Sequence, residues 1–184
     1  LVKLVSPRSK VVIRLGDLHL MYYYSGIIYK ILHCFEKIAW RMADEIVVIS
    51  KPMGLYIEHE IGRTPKVVLD PVDPKDFPSN GQNGEGVMFH GTLTRNKNVD
   101  VLLEAARKLP GVKFTVIGDG PDRPRLLNLA PSNVFFRGWV PFKSICRHIE
   151  TCAVGVALRS GNPGNEYVVT SPFLQYGVMG KPCL

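Results

Sequence analysis

The sequence predicts an α/β fold built from parallel sheets, and three observations lead to that expectation. Short strands rich in Val and Ile alternate with helical segments along the chain. The stretch 87–120 shows one whole unit: an apolar strand, a turn at Gly91, a helix whose apolar residues recur every three or four positions, and a second strand. A run of Pro, Gly and Asn over 70–86 divides the alternation into two parts. We therefore expect two Rossmann-like lobes.

The first lobe is predicted over residues 1–75. Ser50 is placed to cap a helix that has Pro52 in its first turn, and Gly62 is placed to end that helix. Because this part shows only three strands, we expect the first lobe to be incomplete. Its elements in chain order are a strand at 10–13, a helix at 22–43, a strand at 44–50, a helix from 51 to about 60 and a strand at 66–69.

A linker is predicted at 76–86 and a second lobe at 87–184. The chain closes with a strand-like segment at 181–184, and both ends of the chain look cut. We therefore expect a segment of a larger protein, or a much reduced relative of one. The elements expected in the second lobe are strands at 87–90, 113–117, 133–137 and 153–158 and helices near 98–109, 122–129, 142–150 and 171–179.

Composition favours a folded protein with anionic partners. Hydrophobic residues make up 46% of the 184, which permits a packed core and argues against general disorder. The net charge of +7 favours nucleotide phosphates, a lipid surface or nucleic acid as the partner, although a solvated basic surface would give the same charge. Nucleic acid is not expected, because the cations do not cluster on one helix among aromatic residues.

Cysteine usage and hydropathy indicate the compartment. The four cysteines show no C-x-x-C spacing, so buried thiols in a reducing compartment are favoured over a metal site. No apolar run reaches the roughly 18 residues of a membrane span, and residues 1–10 lack a signal-peptide pattern. We expect a cytoplasmic protein.

The loop after the strand at 87–90 is the first candidate site. It holds Gly91, Arg95 and Lys97 just before a helix. Loops of this kind lie at the open edge of a parallel sheet, where glycine lets phosphates approach the backbone and where cations and helix N-termini attract negative charge. The sequence therefore predicts that the chain binds a nucleotide or another diphosphate.

Six stretches of the chain, in their order and spacing, resemble one known family. Two of them look like the end of its acceptor lobe: MADEIVVISKPM at 42–53 and PKVVLDPVDPKDF at 65–77. The other four are HGTLTRNKNVDVLLEAARKL at 90–109, VIGDGPDRPRLLNLA at 116–130, NVFFRGWVPFKSICRHIETCAVGVAL at 133–158 and PFLQYGVMGKPCL at 172–184. They look like the donor lobe of retaining glycosyltransferases with the GT-B fold (group 1, family 4-like). The resemblance covers almost the whole chain.

The resemblance implies a reaction and its partners. It implies transfer of a sugar from a nucleotide diphosphate sugar to a hydroxyl of a glycan or a lipid-linked acceptor, with retention of configuration. No metal and no cofactor are implied, because cationic loops and helix N-termini neutralise the leaving diphosphate instead. A noncatalytic nucleotide-sugar-binding or interaction module, derived from such an enzyme, is the alternative.

The resemblance also implies a set of donor-binding residues. Arg95 and Lys97 would hold the diphosphate, although the family often has arginine directly after the loop glycine, where this chain has Thr92. Backbone atoms near Gly138 and Trp139 would hold the nucleobase, and packing of Trp139 in the core is the alternative. The full donor set is Gly91, Thr92, Arg95, Lys97, Gly118, Gly120, Gly138, Trp139, Thr170, Ser171 and Gln175.

The stretch 160–176 departs from the family pattern. By helix register, Gln175 takes the place of a ribose-binding glutamate and Pro172 that of a common lysine. Glutamine can hydrogen-bond a hydroxyl but lacks the charge, so we expect weakened activity. Thr170 and Ser171 open a helix whose first N–H groups would hold a phosphate.

Three residues are implied to act near the reacting sugar: Asp17, His19 and Glu166. Asp17 and His19 follow the first strand, where the family often places aspartate or histidine facing the acceptor and the donor sugar. Glu166 lies one position away from a family glutamate. Structural roles are the alternatives, since a histidine at a helix entrance is often packed and Glu166 could be an exposed loop acid.

The stretch 20–42 carries both aromatic and basic residues. Packing of these aromatic rings on the sheet is favoured. Peripheral contact with a membrane is the alternative, because aromatic and basic side chains together suit a membrane interface. The residues concerned are Tyr22, Tyr23, Tyr24, Tyr29, Trp40, Lys30, Lys37 and Arg41.

Overall fold

The computed structural model describes residues 8–79, 81 and 83–184. Residues 80 and 82, which belong to the predicted linker, lie outside that range. The chain forms two compact units. Unit 1 holds the residues up to 70 together with 161–169, and unit 2 holds 71–160 together with 170–184.

Unit 1 is built on a parallel sheet in the order β1–β2–β3. The strands are β1 (Val12–Leu15), β2 (Glu45–Val48) and β3 (Lys66–Val67). The helices are α1 (His19–Tyr23), α2 (Gly26–Met42) and α3 (Lys51–Ile61). The single helix expected over 22–43 is divided in two, because Ser25 is extended and Gly26 has a φ of 62°.

The core of unit 1 joins its sheet to α2 and α3. Helix α3 begins and ends where the sequence predicts: Ser50 Oγ accepts a hydrogen bond of 3.1 Å from Met53 N, and Gly62 is left-handed with a φ of 69°. The central buried residues of this core are Trp40, Ile46, Val48, Met53 and Ile57.

The segment 161–169 also belongs to unit 1. It contains a 3₁₀ turn at Pro163–Tyr167, which packs against α1. Asn162 Nδ2 donates a hydrogen bond of 3.3 Å to the carbonyl of Met21. The ring of Tyr167 packs on the core of the unit. The chain therefore contributes to unit 1 from two places in the sequence.

Unit 2 is built on a second parallel sheet in the order β6–β5–β4–β7. The strands are β4 (Val87–His90), β5 (Phe114–Ile117), β6 (Val134–Gly138) and β7 (Val154–Val156). The helices are α4 (Asp100–Lys108), α5 (Arg123–Leu129), α6 (Phe142–Glu150) and α7 (Ser171–Val178). The chain runs from β4 outward to β6 and then crosses back to β7, so the order reverses beside β4. In open α/β sheets ligands bind at the carboxyl edge near such a reversal.

Both faces of the second sheet are buried, as expected for a parallel sheet. Phe89 and Val116 belong to one apolar cluster, with residues of α4 and α5. Met88 and Ile117 belong to another, with residues of α6 and α7. Successive residues of β4 therefore face opposite layers of helices.

The residues at 71–86 group with unit 2. Phe77 is buried in the cluster that contains Met88, and Glu85 N donates a hydrogen bond of 2.9 Å to the carbonyl of Thr151. The boundary between the two units thus falls after Asp70, whereas a linker is expected from the sequence at 76–86. Residues 161–169 belong to unit 1, whereas the sequence predicts them in the second lobe.

The predicted fold class is confirmed: the protein is α/β, with two units of parallel strands and connecting helices. Within the part of the chain that the structure describes, every helix is too short or too polar to cross a lipid bilayer.

Candidate functional site

A cleft of about 290 Å³ opens at the carboxyl edge of the second sheet. It lies where β4, β5 and β6 end, because its walls come from the last residues of these strands and from the loops that follow them. The lining residues are His90, Gly91, Thr92, Ile117, Gly118, Asp119, Trp139, Val140, Phe142 and Ile145. Of the predicted donor residues, the fold therefore brings Gly91, Thr92, Gly118 and Trp139 together around one cavity.

Backbone hydrogen bonds lock the loops under this cleft to one another. Gly91 N donates to the carbonyl of Ile117 at 3.0 Å, and Gly118 N donates to the carbonyl of Gly138 at 2.8 Å. Leu93 N donates to the carbonyl of Asp119 at 2.9 Å. Three consecutive strand ends thus share one network, so the floor of the cleft is held in place before any ligand binds.

This close approach explains two of the glycines. A Cβ on Gly118 would lie 1.9 Å from the carbonyl oxygen of Gly91, and a Cβ on Gly120 would lie 2.3 Å from that of Leu93. Both glycines also have positive φ, 133° and 158°. The glycine–aspartate–glycine motif is therefore required by the packing of two loops, whether or not it touches a ligand.

Trp139 forms an exposed aromatic wall of the cleft. The residue is 71% exposed, so its alternative placement in the core is wrong. It follows Gly138, whose φ of 73° turns the chain at the end of β6. Apolar residues of α6 and the loop before it continue the wall. A flat exposed ring beside apolar side chains can stack on a planar ligand ring.

His90 is a cleft residue that the sequence analysis did not include in the site. It is the last residue of β4 and only 6% exposed, and its Nε2 has no hydrogen-bond partner among the described residues. Burial lowers the pKa of its imidazole to about 4, so the ring is neutral at pH 7. Tyr176 lies edge-on at 5.1 Å between ring centroids. In the sequence, the position of His90 directly before Gly91 indicates that it could belong to the site. A histidine at the end of a buried strand, however, usually suggests core packing.

The predicted cations of the loop lie outside the lining of the cleft, and Arg95 is already paired. Its Nε is 3.2 Å from Oδ1 of Asp122, a carboxylate that is almost fully buried. Arg125 donates to the same carboxylate at 2.6 and 2.8 Å and to that of Asp100 at 2.5 and 2.7 Å. These hydrogen bonds and charges lower the pKa of both carboxyl groups. Arg95 begins a 3₁₀ turn, Arg95–Lys97, and Lys97 is half-buried at the end of it.

The start of α7 is capped from within. Thr170 Oγ1 accepts a hydrogen bond of 3.4 Å from Phe173 N, and Ser171 is exposed at the first position of the helix. Gln175 is only 7% exposed, and the cleft is lined without it. The loop after β7 meets the loop after β4, since Ser160 N donates to the carbonyl of Asn96 at 2.8 Å. The loops that follow β4 and β7 therefore meet at the carboxyl edge of the sheet.

The three predicted catalytic residues all lie in unit 1. Asp17 follows β1, and its Oδ1 accepts a hydrogen bond of 2.9 Å from Leu18 N. His19 is the exposed first residue of α1. Glu166 is exposed on the 3₁₀ turn that packs against α1. The fold therefore places the segments that carry these residues side by side.

A larger cavity, of about 610 Å³, lies away from all predicted site residues. It is lined by residues that precede β4 and β7, such as Gly84 and Ala153, and by the chain after α7. It is therefore at the amino edge of the sheet, opposite the loops described above. Ligand sites of parallel α/β sheets lie at the carboxyl edge, so the smaller cleft is the better candidate.

Several solved structures share the fold of this chain. HepE from Anabaena, crystallised with UDP and glucose, is 17% identical with a TM-score of 0.75; the match covers 98% of this chain and 53% of that one. Sucrose-phosphate synthase from Thermosynechococcus elongatus is 16% identical with a TM-score of 0.71, over 94% of this chain and 49% of that one. The pneumococcal O-GlcNAc transferase GtfA, crystallised with UDP and GlcNAc, is 14% identical with a TM-score of 0.68, over 99% and 38%.

These similarities show a shared GT-B fold, and the chain spans about half or less of the length of these three proteins. No curated protein matches the chain by sequence. The family model described as "Glycosyl transferases group 1" matches residues 84–183, more than half of the 184-residue chain and the whole region that surrounds the cleft. The chain therefore belongs to the group 1 glycosyl transferases.

Proposed function

We propose that the protein transfers a sugar from a nucleotide diphosphate sugar to an acceptor hydroxyl, with retention of configuration and without a metal ion. The observation that carries the proposal is the cleft at the carboxyl edge of β4–β6, which has a fixed backbone floor and one exposed aromatic wall. It lies within the region that matches the family. Two of the similar structures were solved with UDP, which supports a nucleotide as the ligand.

The donor would bind with its parts spread across the strand ends. The nucleobase would stack on Trp139, and N–H groups of the loops would hydrogen-bond it. The diphosphate would lie toward Gly91 and Thr92, with Lys97 and the start of α7 at Thr170 and Ser171 as sources of positive charge. Arg95 would join them by exchanging Asp122 for a phosphate oxygen, because its guanidinium is exposed.

In this proposal the carboxyl edge of the sheet neutralises the charge of the leaving group. The leaving nucleoside diphosphate gains negative charge as the bond to the sugar breaks, and preorganised N–H groups and cations stabilise that charge in the transition state. Asp17, His19 and Glu166 are proposed to contact the sugar and the acceptor hydroxyl. Glycan and lipid-linked acceptors carry the hydroxyl that such a reaction needs.

A noncatalytic nucleotide-sugar-binding module is the second candidate. The buried Gln175 in place of a ribose-binding glutamate favours it, as does Pro172 in place of a lysine. The pairing of Arg95 with Asp122 also favours it, because this pairing lowers the free positive charge beside the cleft. If the protein is an enzyme, these same features would weaken its activity.

Calorimetry against UDP-, GDP- and ADP-sugars, followed by an assay for release of the nucleoside diphosphate, tests both candidates. We expect one donor to bind, and Trp139→Ala to weaken that binding about fivefold or more, since stacking contributes on the order of 1–3 kcal/mol. The matched control is Phe135→Ala, an exposed aromatic residue of β6, the strand that ends just before Trp139, and Phe135 does not line the cleft. Binding with no turnover would select the module; no binding of any donor would contradict both.

We also propose that α2 lets the protein contact a lipid surface. One side of this helix carries exposed apolar residues at helical spacing, and Lys30 and Arg41 are exposed beside them. Such a surface suits the interface of an anionic membrane. The exposed apolar residues are Ile27, Ile31, Phe35, Ile38 and Met42.

Flotation with vesicles tests this contact. We expect binding to vesicles rich in phosphatidylserine and less binding to pure phosphatidylcholine. Phe35→Glu should abolish binding, whereas Leu55→Glu, an exposed apolar residue of α3, should not. Equal flotation of wild type and Phe35→Glu would remove α2 as the contact.

A further inference from the structure

Packing among the described residues does not explain why β4 ends in a histidine, since Nε2 of His90 has no hydrogen-bond partner there. A buried polar nitrogen without a partner costs about 1–3 kcal/mol, and in native proteins such an atom calls for an explanation. Nε2 of His90 is fully buried and has no partner among the described residues. Leu or Met at this position would fill the space beside Tyr176 without that cost. The imidazole therefore points to a partner that arrives from outside the protein.

The cleft supplies the place for that partner. His90 lines it, together with the loop residues Gly91 and Thr92 that follow directly in the chain. Since Nε2 makes no hydrogen bond to the described residues, a rotation of the ring about its Cβ–Cγ bond breaks no bond of this atom. A rotation that turned Nε2 toward the cleft would allow a ligand oxygen there to become its partner.

The spacing of the strands indicates which part of a nucleotide would meet His90. Neighbouring strands lie about 4.8 Å apart, so the ends of β6 and β4 are separated by roughly 10 Å with β5 between them. A nucleoside diphosphate spans a comparable length from its base to its phosphates. With the base on Trp139 at the end of β6, the ribose would lie beside Asp119 after β5. The phosphates would then reach β4.

We propose that His90 is a donor-binding residue whose Nε2–H hydrogen-bonds an oxygen of the nucleotide diphosphate. The inference rests on the proposed function, since it assumes a nucleotide in the cleft. A neutral imidazole suits this position because it supplies one directed N–H without the cost of burying a charge. The low pKa of His90 keeps the ring in this neutral form over the physiological range.

Calorimetry with UDP, UMP and uridine separates the phosphate contact from the rest of the site. For the wild type we expect UDP to bind best. His90→Ala should raise the Kd for UDP about tenfold or more, which corresponds to about 1.4 kcal/mol, and should leave the Kd for uridine nearly unchanged. His90→Gln, whose amide keeps an N–H donor, should recover most of the affinity for UDP. His148→Gln on α6 is the control, because His148 does not line the cleft.

The nitrogen-15 resonances of the His90 ring provide a second test, because a purely structural role of His90 would leave them unchanged when UDP binds. In nitrogen-15 spectra the His90 imidazole of the free protein should be neutral, and UDP but not uridine should shift its Nε2 resonance. Equal loss of UDP and uridine affinity in His90→Ala, or full UDP affinity in that variant, would overturn the inference while leaving the proposed function intact. Failure of the wild type to bind any nucleoside diphosphate would overturn both.

Discussion

The ring of Tyr176 lies directly on the backbone of Gly155. A Cβ on Gly155 would come within 2.3 Å of the ring atom Cγ, and the phenol hydroxyl donates a hydrogen bond of 2.8 Å to the carbonyl of Met88. One buried side chain of α7 thus contacts β7 and β4, the two strands beside which the order of the sheet reverses. The position of α7, and with it that of Thr170 and Ser171, depends on this contact.

Gly155→Ala is expected to destabilise unit 2. The added methyl group must displace a ring that is fully buried, and overpacking of this kind typically costs about 1–3 kcal/mol. Urea unfolding followed by circular dichroism measures the loss. Gly177→Ala in α7 is the control, since a Cβ on Gly177 would meet no neighbouring atom within 4 Å and alanine favours a helix over glycine. The contact between Tyr176 and Gly155 would be refuted if both variants unfolded at the same urea concentration.

Tyr176→Phe is expected to cost about 0.5–1.5 kcal/mol, because it removes the hydrogen bond to Met88 and keeps the ring. The hydroxyl is buried, and burial raises the pKa of Tyr176 well above its usual range, so it stays a donor at every pH of interest. The measurement is again the free energy of unfolding in urea. A loss as large as that of Gly155→Ala would mean that ring packing is disturbed as well.

Stability is expected to fall as the pH drops from 7.5 to 5, because of His90. The unfolded imidazole binds a proton near pH 6.5, whereas the folded one does so only near 4. The unfolded state therefore takes up more protons than the folded state in this window. The free energy of unfolding falls by about 2 kcal/mol between pH 7.5 and pH 5. His90→Gln should remove most of this dependence. A variant that kept the full dependence would show that another group titrates.

A second pH effect is expected below pH 5, because of Arg125. Its hydrogen bonds and charge hold the pKa values of Asp122 and Asp100 below their ordinary range. Stability from such groups is present above their unfolded pKa, near 3.9, and is lost as the pH falls through the lower folded values. Arg125→Met should therefore lower stability at pH 7 more than at pH 2. A loss of equal size at both values would contradict the ion pairs.

Arg63→Ala is expected to destabilise unit 1 by about 1.5–3 kcal/mol, the range for hydrogen bonds from a charged group. The guanidinium donates to the carbonyls of Trp40, Ala43 and Asp44, at 3.1, 2.8 and 3.2 Å, just where α2 ends. The fluorescence of Trp40, measured in a Trp139→Phe background, follows unit 1 alone. Arg41→Ala is the control, because that side chain makes one long hydrogen bond of 3.4 Å to a carbonyl. Equal midpoints for the two variants would rule out this cap.

Lys97→Ala is expected to weaken binding of a nucleoside diphosphate by about 1.5–3 kcal/mol, the range for a charge-assisted hydrogen bond. Calorimetry with UDP measures it, and the unfolding midpoint should change little. Lys108→Ala is the control, a cation of the same unit at the far end of α4 from the loop glycine. Unchanged affinity would exclude Lys97 from the site.

Local sequence patterns predict the elements of unit 2 well, because each strand is an apolar run and each helix has one apolar side. They do not predict the break between α1 and α2, because the aromatic residues around Ser25 and Gly26 continue a helical pattern that the backbone of these two residues interrupts. The family resemblance implies that Trp139 and Gly118, which both follow strands, lie near a ligand, and both line the cleft. The burial of His90 and of Gln175 could not be predicted, since burial of a polar side chain depends on tertiary neighbours such as Tyr176.

The return of 161–169 to unit 1 bears on how the protein can be dissected. Ser50, the cap of α3, donates its hydroxyl proton to the carbonyl of Tyr167, and the ring of Tyr167 lies 5.0 Å from that of Tyr56. A gene fragment that stops at residue 70 would encode a polypeptide without these contacts, and its apolar surface around Tyr56 would promote aggregation. Adding a synthetic peptide of residues 161–169 should restore solubility by complementation. We therefore expect the smallest folding piece of unit 1 to need two segments that are distant in the sequence, one of which truncation at the linker would remove.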